Sequence, residues 1–229
     1  MITSPKIYKM RVAFTVAGLW DHKRIFSALR SAVLGSGLPF EPAKVNKNWP
    51  RLAYGPALGY GQYSLGEYAD LYFSSPVKEE ETAAALAKAA PRGLSVLRVT
   101  RVPYALPCVS NLAEVSQYGV EGGFDRYAPA SAAEEFFSQE HIYVTVRSAT
   151  GMSMQRDIKP FLLRAKMVRP DKLELLLQRV GEKSAKPEHA VAAWLGREVP
   201  AEKEFTFEDL KFTREALYWR DGAGELRAV

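Results

Sequence analysis

The sequence predicts an α+β fold made of two antiparallel-sheet domains in tandem. Three observations lead there. Over the first hundred residues, segments with strand and helix patterns follow in the order strand, helix, strand, strand, helix, strand. The stretch "PYALPCVSN", with two prolines in nine residues, then interrupts the pattern as a linker would. Beyond it a similar series begins again. The order is that of a ferredoxin-like βαββαβ unit. The chain is therefore read as one unit over residues 1–102, a linker over 103–111, and a second unit over 112–229 with an extra C-terminal strand.

Each element has its own signal. "YKMRVAFTVAG" alternates Met10, Val12 and Phe14 against Lys9, Arg11 and Ala13, the period of a strand. In "LWDHKRIFSALRSAVLGSGLP", Ile25, Phe26, Leu29, Ala32 and Val33 fall at helical spacing. Asp21 suits the N-cap, and Gly35, Gly37 and Pro39 end the helix. "LAYGPAL" is the candidate second strand, with Pro56 arguing for an edge or a bulge. "YADLYFSS" is the third strand. "PVKEEETAAALAKAAP" is a helix with three glutamates in its first turn, where the helix dipole favours them. "GLSVLRVTRV" closes the first unit.

In the second half, "LAEVSQYGVEG" reads as a strand. "SAAEEFFSQ" reads as a short helix with Ser131 and Glu134 as a capping box. "HIYVTVRS" alternates, and "QRDIKPFLLRAKMV" is extended but broken at Pro160. After an "RPD" turn, "DKLELLLQRV" is a strong strand. "KPEHAVAAWLG" is a helix opened by Pro187 and closed by Gly196, and "FTFEDLKFTREALYWR" is extended. The two halves share architecture and no residue-level repeat.

With 229 residues and 47% apolar content, the chain can bury a core without covalent staples. Its one cysteine, Cys108, rules out an internal disulfide and any cysteine-built metal cage from this chain alone. The start has no long apolar run, and none of about 18 apolar residues occurs anywhere, so the simplest placement is the cytoplasm, with no membrane contact. The net charge of +5 is uneven: residues 1–60 hold nine basic residues and two acids. Such polarity attracts anionic partners and also serves plain solubility.

Few groups are placed for chemistry. The glycines of "GYGQYSLG" precede a strand, unlike a phosphate loop. His22 sits in the first turn of a helix beside Lys23 and Arg24, where an anion is favoured. It can serve as an acid or base there, or as a half-buried structural histidine. His141 and His189 read as structural. Lys44, Lys47, Trp49 and Arg51 interleave cations and an aromatic on a loop, a usable surface for single-stranded RNA. The alternative is that Trp49 and Tyr54 pack into the core. Arg156 and Asp157, adjacent in a bent strand, suggest a local ion pair.

"HKRIFSALRSAVLGSGLPF", "VNKNWPRLAYGPALGYG", "SLGEYADLYF" and "APRGLSVL" resemble, in the same order, segments of the radical-SAM-linked protein family, a domain of unknown function found fused to radical SAM proteins or encoded beside them. His22 and Gly37-Leu38-Pro39 match the family's first helix. Asn46, Pro50, Arg51 and Leu52 match its Asn-Pro-x-Pro-Arg-Leu element with one extra residue, and Gly66, Glu67, Tyr68 and Asp70 match its Gly-Glu-Tyr-x-Asp element. The resemblance covers residues 8–120 well and the remainder weakly. Where the family starts its helix with Ser and carries an Asp, this chain has Asp21 and Arg24, so it lacks the Asp that a His–Asp mechanism would use.

The resemblance implies a radical SAM protein as partner. That partner would carry the iron–sulfur cluster and S-adenosylmethionine, while this chain binds no cofactor or metal itself. The leading expectation is a non-catalytic substrate-binding or adaptor module, with RNA (tRNA or rRNA) as candidate substrate. Its binding residues would be His22, Arg24, Lys44, Asn46, Lys47, Trp49, Arg51, Glu67 and Asp70, with Arg156 and Asp157 as candidates in the second half. The alternatives are a metal-independent RNA-processing or RNA-modifying enzyme using His22, and a purely structural protein-interaction domain.

Overall fold

The computed structural model describes residues 7–17, 20–124, 131–148, 150–199, 207 and 209–229. The chain divides into two units, one of residues 1–59, 64–113 and 219–229, the other of 60–63 and 114–218.

The first unit is organised by β1 (Tyr8–Val16), whose alternation sends Met10, Val12 and Phe14 to one face and Lys9, Arg11 and Ala13 to the other. β3 (Tyr63–Phe73) and β4 (Leu94–Val102) flank it antiparallel, and the short β2 (Leu52–Tyr54) pairs antiparallel with β3. β2 stops after Tyr54 because Gly55 and Pro56 follow, and proline has no amide for the ladder. β3 starts earlier than its apolar run suggested, since Gly61 takes φ +75° and completes the turn before Tyr63.

α1 (His22–Gly35) begins at Asp21, whose carboxylate accepts the Arg24 amide at 2.7 Å. It buries Ile25, Leu29, Ala32 and Val33, one stripe at helical spacing. α2 (Glu79–Ala89) carries Glu79, Glu80 and Glu81 in its first turn and buries Thr82 and Leu86. These stripes pack with Met10, Val12, Phe14, Leu71 and Phe73 in one apolar core. Each such large apolar side chain contributes about 1.5–3 kcal/mol when fully buried. After β4 comes a short helix, α3 (Val109–Leu112), which overlaps the end of the stretch read as linker.

In the second unit, β5 (Val115–Gly122) lies between β9 (Lys172–Val180) and β12 (Leu210–Arg220), antiparallel to both. β8 (Leu162–Arg169) and β10 (Lys183–Ser184) both pair with β9. β6 (Tyr143–Arg147), β7 (Ser153–Asp157) and β11 (Glu198–Val199) form a separate sheet, with β6 parallel to β11. α4 (Ser131–Ser138) follows β5, and α5 (Pro187–Trp194) precedes β11. Val120, Phe124, Ile142, Ile158, Leu173, Leu175 and Phe212 form part of the core. β13 (Leu226–Ala228) belongs with the first unit.

Two tandem ferredoxin-like domains are therefore not what the chain builds. Among the described residues it is mostly β, with 43% strand against 23% helix, and the strands fall into a large sheet of ten and a second sheet of three. The error lies in strand partnership. Alternation in "HIYVTVRS" shows that one face of β6 is buried, not which strand it joins. The proline break was read correctly: Pro160 sits in a 3-10 turn at Lys159–Phe161 that separates β7 from β8. The sequence offered no sign that the two sides of this break enter different sheets. The Ser131 side chain of the expected capping box, and residues 205, 206 and 208 of the last extended segment, lie outside the described residues.

Candidate binding sites on the first unit

Strand parity sorts the predicted site residues. Side chains alternate along β3, so Glu67, opposite Phe14, lies on the helix-covered face, and Asp70, opposite Arg11, lies on the other. Arg51 and Tyr54 are also three apart and divide the same way.

On the helix-covered face, Glu67 is fully buried. Its Oε2 accepts the Tyr54 hydroxyl at 2.7 Å and its Oε1 accepts the Ser64 hydroxyl at 2.6 Å. Ser64 is an odd number of residues from Glu67, yet a register shift between Phe14 and Val16 returns it to the same face. His22 stacks on the Tyr54 ring, with centroids 4.8 Å apart and planes 16° apart. His22 and Glu67 are thus joined through Tyr54. Arg24 lies over the Trp20 ring at 4.7 Å.

On the opposite face, Asp70 is fully buried and takes three donors. Arg11 donates from Nε at 2.8 Å and from Nη2 at 3.2 Å, and the Val109 amide donates at 2.9 Å. Lys9 Nζ is 3.3 Å from the same carboxylate and donates to the carbonyls of Leu106 at 2.6 Å and Pro107 at 3.2 Å. Asp70 is therefore the hub of a buried ionic cluster that fastens residues 106–109 to the sheet. Arg51 belongs to this side. Its guanidinium lies 4.2 Å from the Tyr72 ring centroid and bonds the Tyr104 hydroxyl at 3.2 Å. Burial, with the Asp70 charge beside it, raises the Tyr72 hydroxyl above its ordinary pKa.

Residues 42–50 form a closed loop. Pro42 bridges Pro50, the Ala43 amide donates to the Trp49 carbonyl at 2.7 Å, and the Trp49 amide donates to Asn46 at 3.1 Å. The Asn46 side chain accepts the Asn48 amide at 2.9 Å, an Asx turn. Asn46 thus shapes the loop, and Lys44, Lys47 and Trp49 are displayed on it, all exposed. Trp49 is 43% exposed, and the Arg30 guanidinium from α1 covers its ring at 4.1 Å. Trp49 accordingly belongs to the surface, while Tyr54 belongs to the core.

In the second unit, Arg156 and Asp157 do not form the expected local pair, because neighbours on a strand point to opposite faces. Asp157 binds His141 Nδ1 at 2.8 Å and accepts the amides of Ile142 and Lys159 at 3.1 and 2.9 Å. Arg156 donates to the Ser184 carbonyl at 2.9 Å and covers the Phe161 ring. The bond to Asp157 raises the His141 pKa. Partial burial works against the Asp157 carboxylate, yet its bonds to His141, Lys159 and Ile142 hold it below its ordinary range. Exposed His141, read as structural, takes the place beside Asp157 that the sequence assigns to Arg156.

Sequence reasoning also missed Lys9, Arg11, Arg30, Tyr54 and Ser64. Lys9 and Arg11 showed only as the polar phase of an alternating strand, which reads as solvated until something covers it. Arg30 was legible as one turn beyond Phe26 on α1. Among the described residues no group of three or more His, Cys, Asp or Glu is placed to hold a metal ion, and no helix is long and apolar enough to cross a membrane.

The first unit is thus a helix-backed antiparallel sheet that displays a basic and aromatic loop. The chain belongs to the bacterial family described as "uncharacterized protein conserved in bacteria (DUF2344)", whose model matches residues 24–187. The matched span includes the loop, Glu67 and Asp70 and begins just after His22. No curated protein matches the chain.

Proposed function

We propose that the chain is a substrate-binding or adaptor module for a radical SAM protein, and that the substrate it holds is single-stranded RNA. The observation that carries the RNA reading is the 42–50 loop. Lys44 and Lys47 stand on it beside exposed Trp49, with Arg30 stacked on the indole. Cations meet phosphates and an aromatic face meets bases, which is the chemistry of single-strand binding. The basic surplus of residues 1–60 adds long-range attraction. The radical SAM partner is supported by the sequence resemblance, and one cysteine leaves this chain unable to hold a cysteine-ligated cluster itself.

Fluorescence anisotropy with a labelled RNA at several salt concentrations tests the substrate. Removing both Lys44 and Lys47 should flatten the salt dependence by about 1.4 in log–log slope. Trp49→Ala should cost about 1–3 kcal/mol. Unchanged binding in these variants sinks the RNA reading. Co-purification with a radical SAM protein tests the partnership, and no complex at micromolar concentration counts against it.

One observation favours a second reading, in which His22 acts on RNA as an acid or base. Its ring lies on Tyr54, whose hydroxyl is tied to buried Glu67, so the imidazole is held in place. RNA turnover by the wild type that disappears in a folded His22→Ala variant supports it. No turnover by the wild type ends it.

A further inference from the structure

The second unit carries a hollow of about 400 Å³ that neither reading uses. One wall is α4, which contributes Glu134, Phe137 and Ser138, a stripe at spacings of three and four. The other wall is β8, which contributes every residue from Leu162 to Lys166. Successive side chains of a strand point to opposite faces, so a hollow over one face meets every second residue. A hollow that meets five in a row runs along the strand's edge. That edge is open: among the described residues β9 is the only strand that pairs with β8. Its outward amides and carbonyls are a template for another extended chain.

The two sides of this edge differ in charge. On the helix side, Phe137 and Leu162 are buried and Ala165 packs with them on the core, an apolar floor. Lys159 and Glu134 stand on that side as one cation and one acid, and Lys159 donates to the Phe137 carbonyl at 2.7 Å. On the other side, Arg164 pairs with Glu174 of β9, whose second oxygen accepts from Gln117. Lys166 lies across from Glu174 in the register and finds both oxygens taken. It is exposed and makes no hydrogen bond or ion pair among the described residues. The helix side is therefore apolar and balanced, and the other side has one positive charge uncancelled. Register shifts make Leu163 and Val168 extra residues, so the regular run is Arg164–Met167. Such bulges guard an edge against open-ended pairing and limit an added strand here to a short one.

We infer that this groove takes a short extended segment of a partner protein, added as a strand along β8, in which apolar and acidic residues alternate. Main-chain bonds to the open edge supply the affinity. Strand alternation sends one phase of the segment to the apolar floor under α4 and the other to Lys166. The groove lies wholly in the second unit and makes no use of the 42–50 loop, so it stands or falls apart from the RNA reading of that loop.

The test is a two-dimensional amide NMR titration of the full chain with a capped heptapeptide that alternates valine and aspartate. Saturable shifts at Leu163–Met167 and along α4 are expected. N-methylation of one alternate set of peptide amides should abolish binding and that of the other set should not, because an added strand turns every second amide toward the edge. Lys166→Glu should weaken the aspartate peptide by roughly three- to tenfold and admit a lysine–valine peptide that the wild type rejects. Ser138→Trp should obstruct the groove and abolish binding. Lys166 and Ser138 are both exposed, so these variants separate loss of binding from loss of folding. Removing Lys44 and Lys47 should leave peptide binding unchanged. Absence of saturable shifts below about 1 mM peptide overturns the inference. So does an equal effect of the two N-methylated sets, or equal binding of the lysine and aspartate peptides by the wild type. Concentration-dependent broadening of the β8 amides without peptide makes a second copy of the chain the occupant and overturns it as well.

Discussion

Glu67 and Asp70, three residues apart on β3, face opposite sides of the same sheet. One accepts from Tyr54 and Ser64 beneath the helices, and the other accepts from Arg11 and Val109 on the far side. Both are fully buried, so the Gly66–Asp70 segment supplies two separate polar anchors.

Replacing Asp70 by Asn should be among the costliest changes in the first unit. It leaves Lys9 and Arg11 as buried cations without their counter-charge, a loss of about 3–5 kcal/mol. Urea unfolding measures the loss. Amide exchange at Val109 should accelerate in the same variant, because its acceptor is the Asp70 carboxylate.

Tyr54→Phe removes one donor from a buried carboxylate and keeps the ring under His22. The expected cost is about 1–3 kcal/mol. Tyr104→Phe, at a half-exposed hydroxyl bonded to Arg51, should cost much less. Equal costs in urea unfolding would contradict the burial argument.

His141 should titrate above the ordinary histidine range, since its bond to Asp157 favours the protonated ring. The stability it contributes is present below the unfolded pKa of about 6.5 and is lost as pH rises through the higher folded value. NMR titration reads the folded pKa directly. Asp157→Asn should return it toward 6.5.

His189 behaves in the opposite sense. Burial, then the charges of Lys186 and Arg156, lower its pKa to about 4. A depressed folded value gives stability that is complete above about 6.5 and is lost as pH falls toward 4. The full span is worth about 3 kcal/mol. His189→Gln can still accept the Lys186 amide and does not titrate, so it should flatten the acid limb of a stability–pH curve.

Local elements were legible because they depend on neighbours in sequence. The Asp21 cap, the Ile25–Val33 stripe and the alternation of β1 all follow from side-chain periodicity and appear where expected. Among the candidate site residues, Lys44, Lys47 and Trp49 stand together on one loop as their spacing suggested. Arg156 and Asp157 went the other way, because adjacency on a strand separates side chains.

What the sequence determined by itself was this set of caps, stripes and loops, together with the single cysteine and the basic first sixty residues. The tertiary structure decided which strands share a sheet, and so placed β6, β7 and β11 outside the main one. It also decided that the polar phase of β1 is buried. Lys9 and Arg11 look solvated in isolation, and only the return of Leu106–Val109 over Asp70 turns that face into an ionic core. Pairing and covering depend on contacts between residues far apart in the chain, and periodicity carries no information about those.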